Sequence, residues 1–273
     1  WEGFVESRPG RYPVEGIFVY GDALIPLDRA PAEISEDVLH QPYWVSVAIP
    51  RGIPAGVYKG KVTITAENAE PAEVALRLRV YDFDLPMQPA LKTSLWMNPD
   101  RVKQWYGWED IPADVLMRQI AFLLEHRLNP CWFGPLGDEK DMEWQLSHGL
   151  NGVMLGVAAE WPLPEEMECQ IQRWYDFLKR RDLLDLAFIY AQDEPSPQDY
   201  PKVRQTMEQV AKRWPGVKRM CTAFPPVQEL EGAVDIWVVG PNLFNERAVA
   251  ERQDAGDDLW IYLSASVRRP YAM

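Results

Sequence analysis

An all-β domain followed by an α/β domain of the (β/α)8 barrel type is the architecture the sequence predicts, on three observations. Apolar residues alternate with period two through roughly the first 85 residues. A proline-bearing stretch runs through Pro89. Beyond it, short apolar runs alternate with segments of helical period. The boundaries this implies are 1–86 for an antiparallel β-sandwich and 91–273 for the barrel-type domain.

In the first region, Tyr43, Val45, Val47 and Ile49 form one alternating set. Tyr58, Gly60, Val62 and Ile64 form a second, and Val74, Leu76, Leu78 and Val80 a third. Pro50 to Gly56, dense in turn formers, separates the first two sets. In the second region the predicted strands are 92–97, 128–133, 150–156, 186–191, 218–223, 234–239 and 258–264. Several are continuous apolar runs, the pattern of strands buried on both faces. Between them, Leu116, Ile120 and Leu123 share a helical face, as do Met167, Ile171, Trp174 and Leu178. Tyr200, Val203, Met207, Val210 and Trp214 form another. Seven strand-helix units favour a barrel over an open doubly wound sheet. With little sequence after Ser264, the barrel is expected to be incomplete at the C-terminus.

Composition narrows the function. The chain has 273 residues, 47% of them hydrophobic, enough for a substantial core. Its formal net charge of −13 argues against nucleic acid or an anionic membrane as partner, while a neutral ligand is compatible. Twelve Trp and eleven Tyr could stack on the apolar faces of sugar rings, although most must serve the core. Cys131, Cys169 and Cys221 are far apart, and His40, His126 and His148 are isolated. Neither a disulfide framework nor a metal site is indicated, and the cysteines read as buried thiols. No phosphate-cradling glycine motif is present, so no nucleotide cofactor is expected. No stretch reaches transmembrane length. No charged-then-apolar leader opens the chain, which begins at Trp1, and a secreted or cell-envelope location stays compatible.

The residues that carry chemistry are Asp193 and Glu194. They close the predicted strand 186–191 within Tyr190-Ala191-Gln192-Asp193-Glu194-Pro195, and active sites of barrels gather at the carboxyl ends of strands. Adjacent side chains of a regular strand face opposite ways, so both acids reach one pocket only where the strand is already turning. Pro195 supplies such a break. A competing reading makes Asp193 or Ser196 the cap of the following helix, with Glu194 complementing its dipole. Other candidates at strand ends are Trp96, Trp132, Tyr190, Trp237 and Tyr262, each able to contact a ligand or to pack. The acidic runs Asp138 to Asp141 and Asp254 to Asp258 read as solvated loop charge.

The motif Tyr190-Ala191-Gln192-Asp193-Glu194-Pro195 resembles the Tyr-x-x-Asp-Glu-Pro motif of glycoside hydrolase family 123, the β-N-acetylgalactosaminidases, and of the related domain-of-unknown-function family 4091. Gln41 to Val45, Pro54 to Gly60 and Tyr81 to Pro86 resemble the family's sandwich domain and its exit into the barrel; Val234 to Val238 resembles its sixth strand. The likeness runs from Tyr20 to Ser264, and the order of the pieces is more specific than any one of them. Family members often carry Trp before the acidic pair, where this chain has Gln192, and they continue beyond a seventh strand. The resemblance implies substrate-assisted retaining hydrolysis of a terminal β-linked N-acetylhexosamine, N-acetylgalactosamine favoured, through an oxazolinium intermediate. It makes Glu194 the general acid and base. It makes Asp193 the partner of the acetamido N–H, with a glycan or glycoconjugate as substrate.

The residues themselves point the same way on one count. Retaining two-carboxylate glycosidases hold their acids about 5 Å apart, commonly on the fourth and seventh strands. Here the seventh ends Ile261-Tyr262-Leu263-Ser264-Ala265-Ser266, with no carboxylate. Two alternatives stay open: a non-catalytic carbohydrate-binding or assembly protein that keeps the fold, and a two-carboxylate glycosidase acting on a glycan without N-acetyl groups.

Overall fold

The computed structural model describes residues 2–7, 18–24, 43–240 and 245–262. The chain divides into two compact units, Trp1–Leu85 and Pro86–Met273. The fold is mixed, antiparallel in the first unit and parallel in the second.

In the first unit, β1 (Glu2–Ser7) pairs antiparallel with β2 (Phe18–Leu24), and β3 (Gly56–Ala66) with β4 (Ala69–Val80). The β3–β4 register matches Tyr58 with Leu78, Gly60 with Leu76 and Val62 with Val74, so the two predicted alternating sets share one face. The predicted strand at Tyr43 to Ile49 does not form: residues 43–50 have no regular structure and lie exposed. Alternation makes a strand only where the backbone finds a ladder partner, and none of the described residues offers one. The proline- and glycine-rich turn is tied down instead. Gly52, at φ 75°, donates its N–H to Asp84 Oδ1, and the Arg51 guanidinium donates to the Leu85 carbonyl.

The second unit builds β5 (Leu95–Trp96), α1 (Pro99–Tyr106), α2 (Ala113–Glu125), β6 (Pro130–Cys131), α3 (Glu139–Ser147), β7 (Val153–Val157) and α4 (Glu165–Lys179). It continues with β8 (Ala187–Asp193), α5 (Tyr200–Arg213), β9 (Lys218–Thr222), β10 (Ile236–Val239), α6 (Glu246–Asp254) and β11 (Asp258–Ile261). Each of the seven predicted strands has its counterpart, shortened to two residues in β5 and β6; the last two positions of the seventh lie outside the described residues. Strands β7 to β11 lie side by side in chain order, all parallel, and β5 pairs parallel with β6. An order that never reverses, with crossovers of one hand, sends the connecting helices to one face.

The core has two layers as a result. On the helix face, Leu155, Ile189, Cys221 and Trp237 from the strands pack with Ile120, Ile171, Phe177, Met207 and Trp214. On the other face, Cys131, Met154, Phe188, Tyr190, Met220 and Ile236 pack together. Cys131 and Cys221 are buried thiols as expected, whereas Cys169 is exposed on α4. The Asp138 to Asp141 run is not loop charge. Asp138 caps α3 in a reciprocal box with Asp141, an arrangement that satisfies the orphan N–H groups of the first turn. Asp257 and Asp258 are likewise structural, accepting from the Trp237 indole and from Lys218.

No ladder joins β6 to β7 among the described residues. Two buried asparagines bridge them. Asn129 Nδ2 donates to Asn151 Oδ1 at 2.6 Å, and the Asn151 N–H donates to Asn129 Oδ1. Asn129 also bonds the Thr93 carbonyl, and Asn151 the Pro89 and Leu91 carbonyls. A buried polar pair is stabilising only while every member is satisfied. Asn151→Ala takes the partner from the Asn129 amide and from the Pro89 and Leu91 carbonyls, so it is expected to cost about 2–3 kcal/mol in urea unfolding. Asp138→Ala, which removes an exposed cap, should cost about 1 kcal/mol.

Candidate active site at the strand ends

Strand β8 ends on Asp193 with Glu194 the next residue, and two departures from regular strand geometry aim them. The first is a bulge. Tyr190 pairs with Met220, but the next partner of β9, Thr222, faces Asp193, so three steps on β8 span two on β9. Asp193 thereby lands on the same face as Tyr190. Gln192 lies within the bulge, its backbone carbonyl accepting from the Cys221 thiol. The second departure is Glu194 itself, at φ 43° in the left-handed region. The chain doubles back there, and the Glu194 carboxylate accepts a hydrogen bond of 2.5 Å from the Tyr262 hydroxyl, beyond the end of β11.

Each acid thus has its own tyrosine. The Tyr190 hydroxyl donates to Asp193 Oδ1 at 2.9 Å and lies 2.6 Å from Thr222 Oγ1. Burial, reinforced by the Asp193 charge, pushes the Tyr190 phenol well above its ordinary range, so it stays a donor. The Tyr262 phenol is pushed up to about 12, first by its hydrogen bond to Glu194, then by burial and the charges of Glu194 and Asp193. Among the described residues, no hydrogen bond reaches the second oxygen of either acid, so each keeps an acceptor edge for a ligand.

An aromatic group stands beside them. Trp96, ending β5, meets Tyr190 edge-on at 5.9 Å, Trp132 at 6.0 Å and Phe133 at 4.8 Å. Trp96 and Phe133 are each nearly half exposed, and Phe133 sits at φ 47°, a conformation an aromatic residue adopts at a cost. An exposed indole and phenyl beside two carboxylates can stack a ring whose polar edge is bonded.

Trp237 does not join this group. It is fully buried on the helix face, its indole N–H donating to Asp257, because Ile236 and Val238 take the other face of β10. Tyr190, Tyr262, Trp96 and Trp132 are brought near the acids or their tyrosines; Trp132 is half-buried and touches the group through Trp96 and Phe133. The helix-capping reading of Asp193 and Ser196 fails. Helix α5 begins at Tyr200, and the Ser196 N–H and hydroxyl donate to Asp199, lowering that carboxyl's pKa. Sequence reasoning missed Thr222 and Gly240. The parity of Met220 marks Thr222 as facing the acids' side. Gly240 is narrow by need, since a Cβ there would stand 3.2 Å from the Tyr262 hydroxyl.

No cluster of His, Cys, Asp or Glu able to hold a metal ion occurs among the described residues. No described helix is long and apolar enough to cross a membrane.

Among solved structures, the chain is similar to a family 123 glycoside hydrolase from Clostridium perfringens, analysed for the details of glycolipid glycan hydrolysis. The TM-score is 0.51 at 14% identity, covering 79% of this chain and 51% of that one. The chain spans about half the length of that protein, and the likeness is one of fold. No protein-family profile and no curated protein matches the chain.

Two predictions follow from this geometry. Glu194→Gly and Glu194→Ala both lose the Tyr262 bond, but only glycine removes the left-handed strain. Glu194→Gly should be the more stable of the two by about 1 kcal/mol in urea unfolding. For Tyr262, the phenol titrates near 12 in the folded chain against about 10 when unfolded. Its stabilising contribution is therefore full below about pH 10 and lost as the pH rises through about 12. Over that window the parent chain should lose stability relative to Tyr262→Phe.

Proposed function

We propose that the chain is the hydrolytic part of a glycoside hydrolase acting on a terminal β-linked N-acetylhexosamine, with N-acetylgalactosamine the favoured sugar. In this reading the parallel strands belong to a (β/α)8-type barrel, and the N-terminal ladders to a β-sandwich. The observation that carries it is the pairing of Asp193 and Glu194 at one strand end, each bonded by a tyrosine beside exposed aromatic faces. The similarity in fold to a family 123 glycoside hydrolase supports it.

The division of labour follows from the neighbours. Hydrolysis needs one carboxyl that gives and then takes a proton, and one group that orients the nucleophile. Tyr262 occupies Glu194 Oε1, so the proton transferred to the leaving oxygen sits on Oε2. Tyr190 occupies Asp193 Oδ1, which leaves Oδ2 to accept the N–H of a 2-acetamido group and to offset charge on the oxazolinium. The acetamido oxygen attacks the anomeric carbon as the glycosidic bond breaks. Glu194, now a base, takes a proton from the water that opens the ring intermediate. Trp96 and Phe133 offer faces for the sugar's apolar side.

Glu194→Gln is expected to cut turnover of an aryl N-acetyl-β-galactosaminide by about 10²- to 10⁴-fold, the usual worth of a general acid-base. Azide or a very good leaving group should partly restore the rate. Unchanged turnover in that variant would refute the assignment. A thiazoline mimic of the oxazolinium should inhibit the parent chain; failure to inhibit an active chain would point to a two-carboxylate mechanism.

A further inference from the structure

We propose that Thr222 is a positioning residue for Asp193, acting through the hydroxyl of Tyr190. The inference rests on the reading above, in which Asp193 is the charged partner of Glu194.

Proton counting sets its direction. Tyr190 has one hydroxyl proton and two partners, Asp193 Oδ1 at 2.9 Å and Thr222 Oγ1 at 2.6 Å. An ionised carboxylate can only accept, so the Tyr190 proton goes to Asp193 and Thr222 must donate to the Tyr190 oxygen. Thr222 is 5% exposed, and this is the only hydrogen bond of its side chain among the described residues. A hydroxyl that receives a hydrogen bond becomes a stronger donor, so the Thr222 proton strengthens the hold of Tyr190 on the acid.

The placement fits the task. Thr222 is the β9 residue opposite Asp193 where the register shifts, so Thr222, Tyr190 and Asp193 form a triangle across the bulge. The Tyr190 ring is already confined by burial and by the edge-on Trp96 indole. What Thr222 adds is a donor behind the hydroxyl: it fills an acceptor site on the Tyr190 oxygen and strengthens the phenol's donation to Asp193. Valine at 222 would keep the shape and the β-branch and lose only the proton.

In the full chain, Thr222→Val is expected to lower kcat on an aryl N-acetyl-β-galactosaminide about tenfold, the scale of one net hydrogen bond, with KM little changed. Thr222→Ser should stay within about threefold of the parent, because it keeps the donor. The double variant Tyr190→Phe with Thr222→Val should be no slower than Tyr190→Phe alone, since the two act as one unit. Additive losses, or a Thr222→Ser as slow as Thr222→Val, overturn the relay. Thr222→Ala gives the same readings should valine disturb packing. A parent chain that turns over no N-acetylhexosaminide defeats the proposed function, and crystal structures then decide the relay by themselves. Thr222→Val should lengthen the Tyr190–Asp193 contact beyond its 2.9 Å, while Thr222→Ser keeps it. An unchanged contact in Thr222→Val overturns the proposal whether or not the chain is active.

Discussion

Everything at the candidate site depends on how β8 ends. Adjacent residues of a regular strand cannot present two carboxylates to one place, because their side chains leave on opposite faces. The chain departs from regular strand geometry twice in succession. A bulge over Ala191 and Gln192 carries Asp193 onto the face of Tyr190, and the left-handed backbone at Glu194 brings the second acid round to Tyr262. Both devices cost stability locally, a bulge through lost pairing and a positive φ through steric crowding. The flanking framework is what can bear that cost: β8 is buried on both faces and held between β7 and β9.

The surrounding parts divide between holding this turn and supplying chemistry. Sequential parallel strands send the helices to one face and leave the strands' carboxyl ends open, with Trp96, Asp193, Thr222 and Tyr262 at those ends. The asparagine pair stands where no ladder runs between β6 and β7, tying together the amino-terminal side of the same strands. The acids themselves are exposed, while their tyrosines are held by burial or by hydrogen bonds. Rigid donors around accessible acceptors is the arrangement expected of a preorganised site, in which orientation is set before a ligand arrives.

What was legible depended on which physical signal each residue carries. The seven strands of the second unit show in apolar runs because burial on both faces leaves a compositional trace. Tyr43 to Ile49 carries an equally clear alternation and forms no strand, since pairing needs a partner that alternation does not supply. Trp237 looked like its neighbours at other strand ends. Its position one residue from Ile236 and from Val238 places it on the helix face, a parity that could have been read from the strand. Asp138 and Asp141 carry the three-residue spacing of a capping box, yet the helix they start has too weak an apolar face to announce itself.

The sequence by itself determined the order of strands and helices, the absence of metal-ligand spacing, and the presence of two adjacent acids at a strand end. Those follow from local pattern and from chemistry written in single residues. Only the tertiary structure decided that Asp193 and Glu194 are each bonded by a different tyrosine, and that Thr222 stands behind one of them. The reason is that a bulge is a mismatch between two strands: it exists in the pairing of β8 with β9, not in either segment. Likewise Tyr262 reaches Glu194 across 68 residues of chain, a contact that no window of sequence contains.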